Sequence, residues 1–494
     1  MTVFSPPESD AVEPIPVELW PRPTAVGSSG GIVLAVVAIG IAGDLATRSG
    51  FITVGGALGA VVTAAALLAT GRLVRRDAKV LVGLAALFAV FLSFRSSPWL
   101  VVPNTIVSIA LFVVAVVLAR SGGWFDSPPR RLLRGVAYWV STVIDAVGFA
   151  LAPARGRRSV VALRGALIAA PVLVVIVALL ASADEVFARL VGVDQLSADD
   201  VFVHLVLFTT SAWIGAMLLR TASTDLDDAG DPPPRVLGAV EGAIVLGAIG
   251  LVLGAFALAQ VIDVVGVSDR LVGEHFDRAE YARSGFFQLL WVAGIIVTVV
   301  LAVRLFVRHD SLRSERWIDR LGLVTCLLTL PVVAVSVRRL SLYADEYGLT
   351  MLRLYSTVAA ISIGIMLLLI AAAIAGVGRS RAWLPGALAI VPLVALLGLD
   401  VMNPEALVAR VNMERENPRV TTDGRYLALL SDDAVPTIVA NLDRLAEFQR
   451  DRLTVILCDG FVEPDGGLST NFSEQRAHDA LRSICTPSSS NGRG

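Results

Sequence analysis

Apolar runs of about 20 residues recur along this chain, each long enough to carry a helix across the hydrocarbon core of a bilayer. Eleven crossings are expected, near 30–48, 51–70, 80–95, 98–119, 162–182, 201–219, 238–263, 284–306, 321–338, 352–376 and 383–402. The fold class is therefore an all-α, polytopic transmembrane helical bundle whose first partner is the lipid bilayer. A mean hydropathy of +0.73 with 17% charged residues excludes an ordinary soluble enzyme of this length, whose surface would need more charge.

Residues 1–29 carry six prolines among Glu8, Asp10, Glu13 and Glu18 and lack the basic start of a cleavable signal. They read as a disordered cytoplasmic tail, so the first apolar run should remain as an anchor. A transmembrane domain is expected over 30–403, a small helical extracytoplasmic tail over 404–484 and a disordered C-terminus over 485–494. Alternating through the spans from a cytoplasmic N-terminus places 22 basic residues inside and nine outside, with ten more in the C-terminal tail. That bias fits the positive-inside rule for a bacterial plasma membrane, and an odd span count leaves 404–494 outside the cytoplasm.

The stretch 130–155 has arginines at both ends, Arg130, Arg131 and Arg134 against Arg155, Arg157 and Arg158, so a crossing would strand one cluster outside. Leu133, Val136, Val140, Val143, Val147 and Leu151 share a helical face, which predicts a cytoplasmic-side amphipathic helix lying flat.

Motifs with defined chemistry are missing. No Walker-type phosphate loop is possible with Lys79 as the only lysine, and the patterns of zinc proteases and serine hydrolases are not found. Asp225, Asp227 and Asp228 read as an acidic linker, and Glu274, His275, Asp277 and Glu280 as a helix surface. No metal and no cofactor is assigned, and nothing points to nucleic acid. Pro171, Pro331 and Pro392 sit centrally in three spans and free the carbonyls four residues back, an expected source of kinks.

Polar and aromatic residues gather instead at the outer ends of the spans. If 338–347 is helical, Arg339, Tyr343 and Tyr347 stack on one face, Gly348 ends the helix and Thr350 caps the next span. Arginines flanking exported loops oppose the insertion bias, so Arg338, Arg339 and Arg353 need an offsetting cause. Pairing with Asp345, Glu346, Asp263 or Asp400 would be structural. Gripping an anionic ligand together with Tyr281, Arg283, Tyr343 and Tyr347 would be functional.

Glu280–Phe287, Arg338–Tyr355, Ala183–Ala188 and Asn403–Asn412 also carry a resemblance. In these segments the chain resembles the bacterial DUF4153/DUF4173 (domain of unknown function) group, a similarity covering about 30–480. The resemblance implies a multi-pass membrane protein without assigned activity, so it transfers no catalytic residue.

The tail reads as helices over 404–417, 426–430, 432–450 after a Ser431 cap, and 473–484, with Leu453–Cys458 open to either helix or strand. Asp432 and Asp433 suit a helix start, where the dipole favours carboxylates. Cys458 and Cys485 are the only cysteines outside the spans, and an exported tail would permit their disulfide. The first functional reading is an envelope-facing scaffold or sensor whose tail contacts an envelope protein. A permease for a small or amphiphilic solute would need a polar cavity reaching the midplane. An enzyme acting on a lipid-linked substrate at the outer face would need Asp263, Glu346 or Asp400 as a base near the arginines. Oligomeric state is not encoded in any pattern found.

Overall fold

The computed structural model describes residues 29–152, 198–226, 238–264, 286–307, 311–378, 381–415 and 424–485, apart from a few single positions. The expected span at 162–182 lies outside the described residues, as do the N-terminal tail, Tyr281 and Arg283. All regular elements described are helical.

In chain order they are α1 (Gly30–Ser49), α2 (Val54–Ala69), α3 (Arg76–Phe91), α4 (Pro98–Val117), α5 (Pro129–Ser141), α6 (Asp145–Ala150) and α7 (Ala198–Ala222). There follow α8 (Ala239–Val264), α9 (Phe286–Phe306), α10 (Leu312–Tyr347), α11 (Met351–Ile374) and α12 (Trp383–Met402). The tail holds α13 (Pro404–Met413), α14 (Gly424–Leu427), α15 (Val435–Ala440), α16 (Glu447–Asp459) and α17 (Phe472–Leu481).

Eight of the described helices are long and apolar enough to cross a membrane: α1, α4, and α7 to α12. Of the eleven expected crossings, eight coincide with these helices and one lies outside the described residues, while α2 and α3 have only 16 residues each and α3 opens on Arg76, Asp77 and Lys79. At 1.5 Å per residue such helices reach about 24 Å, short of a ~30 Å core.

Two apolar clusters organise the bundle. One joins α1 to α4, α7 and α12 around Phe88, Leu67 and Leu100. The other joins α8 to α12 around Leu246, Leu367 and Ile370. Lipid supplies no hydrophobic drive between helices, so close backbone approach matters. A Cβ at Gly43 would collide with the Ser211 hydroxyl and one at Gly59 would stand 2.8 Å from Ala46, which is where α1 meets α7 and α2. The 36 residues of α10 run about 54 Å, well beyond the ~30 Å thickness of a hydrocarbon core. Pro331 and Pro392 lie within unbroken helices.

Where one flat helix is expected over 130–155, two helices separated by a turn at Thr142 and Val143 are found. Arg131 donates to the Leu226 carbonyl at 3.0 Å and Tyr138 meets Thr224 at 3.2 Å. The Val143 carbonyl then accepts from Trp213 at 2.7 Å, eleven residues before Thr224, and Phe149 returns to Arg220, whose guanidinium lies 5.2 Å above its ring. The pair thus begins and ends beside the C-terminal end of α7. Leu133, Val140 and Val147 of the expected apolar stripe are exposed at the molecular surface.

The tail packs on the end of the bundle formed by the α1–α2, α3–α4 and α10–α11 turns. The opposite end gathers Arg72, Arg75, Arg120, Arg131, Arg220, Arg304 and Arg381.

Candidate functional site

Ser96-Ser97-Pro98 starts α4, with proline in the first turn where its missing N–H costs nothing. Ser97 as N-cap makes no cap bond with its own side chain. Its amide and that of Ser96 donate instead to Asp433 Oδ2, at 3.1 and 3.2 Å, from 336 and 337 residues away. Asp433 Oδ1 accepts from the Ser473 hydroxyl at 2.6 Å and lies 3.8 Å from Arg95 Nη1. The side chain of Asp433 is fully buried.

Beside it the Ser97 hydroxyl donates to Glu405 Oε1 at 2.6 Å, while Oε2 accepts from the amide and hydroxyl of Ser431 at 2.6 and 2.5 Å. Asn403 adopts φ 55°, a left-handed conformation that asparagine tolerates, and this turns the chain from α12 into α13. Its side chain both caps α13 at Ala406 and donates to the Asp433 carbonyl at 2.9 Å. Asn471 reaches back to the carbonyls of Ile52, Leu92 and Arg95, and the Phe472 amide donates to the Ser93 carbonyl at 2.8 Å. Phe94 stacks on Phe472 with centroids 4.8 Å apart.

Arg95 joins the bundle to the tail. Nε donates to the Asp400 carbonyl at 2.9 Å, Nη2 donates to the same oxygen, and Asn104 donates to Asp400 Oδ1 at 2.7 Å. Burial pulls the Arg95 guanidinium below its usual range, with Asp433 opposing the shift. We call this network the clasp. Every side-chain oxygen of Glu405 and Asp433 accepts a hydrogen bond from another part of the chain, an arrangement suited to holding two parts of the chain together.

Of the residues singled out from sequence, Arg353, Tyr343 and Tyr347 come together. The Arg353 guanidinium lies 4.2 Å over the Tyr343 ring and donates to the Gly348 carbonyl, and Tyr343 and Tyr347 have centroids 4.7 Å apart. Gly348 ends α10 with φ 90°, and Thr350 caps α11 by accepting from the Arg353 amide, as the residue pattern predicts. Arg338 is exposed on α10 and Arg339 is half-buried. Asp345 and Glu346 are exposed, and among the described residues no ion pair joins Arg338 or Arg353 to them. The turn is anchored by the tail: Asn412 clamps the amide and carbonyl of Leu349 at 2.8 and 2.7 Å, and the Tyr426 hydroxyl accepts from the Met351 amide at 2.9 Å.

The tail is closed by a Cys458–Cys485 disulfide with Cα atoms 5.6 Å apart, and Cys326 is buried in the bundle. Leu453–Cys458 is helical, within α16, and the helix expected over 432–450 is broken into α15, a short 3₁₀ turn and the start of α16. Asp433 precedes α15 but spends its carboxylate on the entrance to α4. Among the described residues no group of His, Cys, Asp and Glu could hold a metal. Sequence reasoning missed Glu405, Asn471 and Ser473, and read Asp433 only as a carboxylate suited to a helix start. The available signal was Arg95, an arginine at the end of an apolar run, where a paired carboxylate is expected.

A model of the family described as "Domain of unknown function (DUF4153)" matches residues 82–441. No curated protein matches the chain, and no solved structure does.

Proposed function

The chain belongs to the DUF4153 family, and from that premise we propose that it is an envelope-facing sensor or scaffold of a bacterial plasma membrane, with its tail outside the cytoplasm. The observation that carries this reading is the clasp. A seam held by carboxylates, an arginine and serine hydroxyls can open by exchanging its partners for water or for a ligand, which an apolar seam cannot do without exposing its core. The tail would then report the state of the α3–α4 and α10–α11 turns to an envelope protein.

Two further features support the orientation. The arginines gathered opposite the tail follow the positive-inside rule, and a disulfide-closed tail suits an oxidising compartment. The proposed ligand is an anion received by Arg338, Arg339 and Arg353 with Tyr281, Arg283, Tyr343 and Tyr347, since guanidinium forks and tyrosine hydroxyls favour phosphate or carboxylate. On this orientation α5 and α6 form the cytoplasmic-side amphipathic element. Saturation of Glu405 and Asp433 favours holding over chemistry, so a reaction is not part of the proposal.

Alkaline phosphatase fused after Gly494 should be active and green fluorescent protein there should stay dark. The reverse result overturns the orientation. Binding of inorganic phosphate by the purified protein, followed calorimetrically, should be lost in R339Q/R353Q with folding intact. Unchanged binding, or no binding by the wild type, overturns the anion site.

A further inference from the structure

Asn104 and Asp400 face one another across α4 and α12, and both are fully buried. One hydrogen bond joins them, from Asn104 Nδ2 to Asp400 Oδ1 at 2.7 Å. The remaining oxygens, Asn104 Oδ1 and Asp400 Oδ2, are buried without a hydrogen-bond partner among the described residues. An ionised carboxylate has only acceptors, so it would leave both oxygens orphaned. A neutral carboxyl has one O–H donor, and directed at Asn104 Oδ1 that donor satisfies both at once.

We propose that Asp400 binds a proton and shares it with Asn104 as a closed acid–amide pair, which makes this corner of the clasp a proton-binding site. The proton comes from hydronium: one of its O–H bonds breaks as the Oδ2–H bond forms, and water is released. Arg95 does not replace it, because its Nε and Nη2 donate to the Asp400 main-chain carbonyl and its Nη1 turns to Asp433. A metal cation is disfavoured by the same guanidinium. The other charged or titratable groups within electrostatic reach are Asp433 from the tail, Tyr355 from α11 and, through Tyr355, Glu405. α4 contributes only the neutral Asn104. Keeping Asp400 neutral leaves the Arg95 charge to Asp433, so the proton is a ligand of the docked tail.

Infrared difference spectra of the full-length protein in lipid nanodiscs test this directly. At neutral pH the wild type should show the C=O stretch of a protonated carboxyl, sensitive to deuteration and absent from D400N. Its absence from the wild type overturns the proposal. Because an amide mimics a neutral acid, D400N should melt close to wild type and N104D well below it, while the double swap N104D/D400N should recover stability. A D400N that fails to fold, or a swap that recovers nothing, counts against the proposal. So does a sodium-dependent melting shift lost in D400N, which would assign a metal cation instead. None of these readouts depends on which side of the membrane the tail occupies.

Discussion

Two charged clusters sit at opposite ends of the bundle and differ in what surrounds them. In the clasp, Arg95 and Asp433 have side chains 9% and 0% exposed, and hydrogen bonds from two amides and a hydroxyl support the carboxylate. At the other end Asp319 receives Arg304 at 3.2 Å and Arg381 at 2.7 Å, with Glu315 3.8 Å from Arg381, and Arg381 is 43% exposed. Water already reaches Arg381 and Glu315 in the second cluster, whereas it reaches the first only when the tail lifts away. Removing one member of a desolvated pair strands its partner, whereas exposed pairs are worth about 0–1 kcal/mol because solvent screens them. One end therefore joins two folded parts, and the other ties helix ends that the apolar core already holds.

Asp433→Ala should give the largest effect, a loss of about 3–5 kcal/mol as Arg95 is left buried without its carboxylate. Hydrogen exchange should localise that loss to α15, α17 and the Ser93–Ser97 turn. A loss below ~1 kcal/mol would erase the contrast between the two clusters. Cys458→Ser with Cys485→Ser should cost roughly 3 kcal/mol in the chain-entropy model for a loop of this length. Exchange should rise in α16 and α17 while the bundle stays protected; equal destabilisation of both would break the view of the tail as a separately closed unit.

Acidity should act through the tail. Desolvation raises the Asp432 carboxyl above its usual range, reinforced by Asp433, and desolvation raises Glu474, reinforced by Asp432 and Asp465. The folded state therefore holds these protons to higher pH than the unfolded chain, so their contribution is full at low pH and declines as pH rises through their folded values. Asp432→Asn should flatten that decline in a pH series of melting curves. A steeper decline in the variant would reverse the sign. The smallest effect is expected from Glu315→Gln, below ~1 kcal/mol and diminished further by salt. A larger loss would show that the exposed cluster is desolvated in lipid.

The α10–α11 turn was legible because its signals are local: Gly348 after the Arg339, Tyr343 and Tyr347 stack, then Thr350 three residues before Arg353. The hairpin of α5 and α6 was half legible. Arginines at both ends of 130–155 argue against a crossing, but the break at Thr142 and Val143 depends on packing along α7, where Trp213 meets the Val143 carbonyl. Asp433 was misread because a carboxylate near a helix start has a local explanation that satisfies every local rule, while its actual partners are Arg95, Ser96 and Ser97, more than 330 residues earlier, and Ser473, 40 residues later.

The sequence by itself determined that this chain is a multi-pass helical membrane protein, because hydrocarbon thickness sets span length and the alternation of spans sets which turns share a side. Tertiary structure alone decided which polar residues at those ends meet. A buried hydrogen bond needs its two groups placed within a few tenths of an ångström, and Arg95, Asn104, Asp400, Glu405, Asp433 and Ser473 are brought to that tolerance by the docking of whole helices, which no spacing along the chain records.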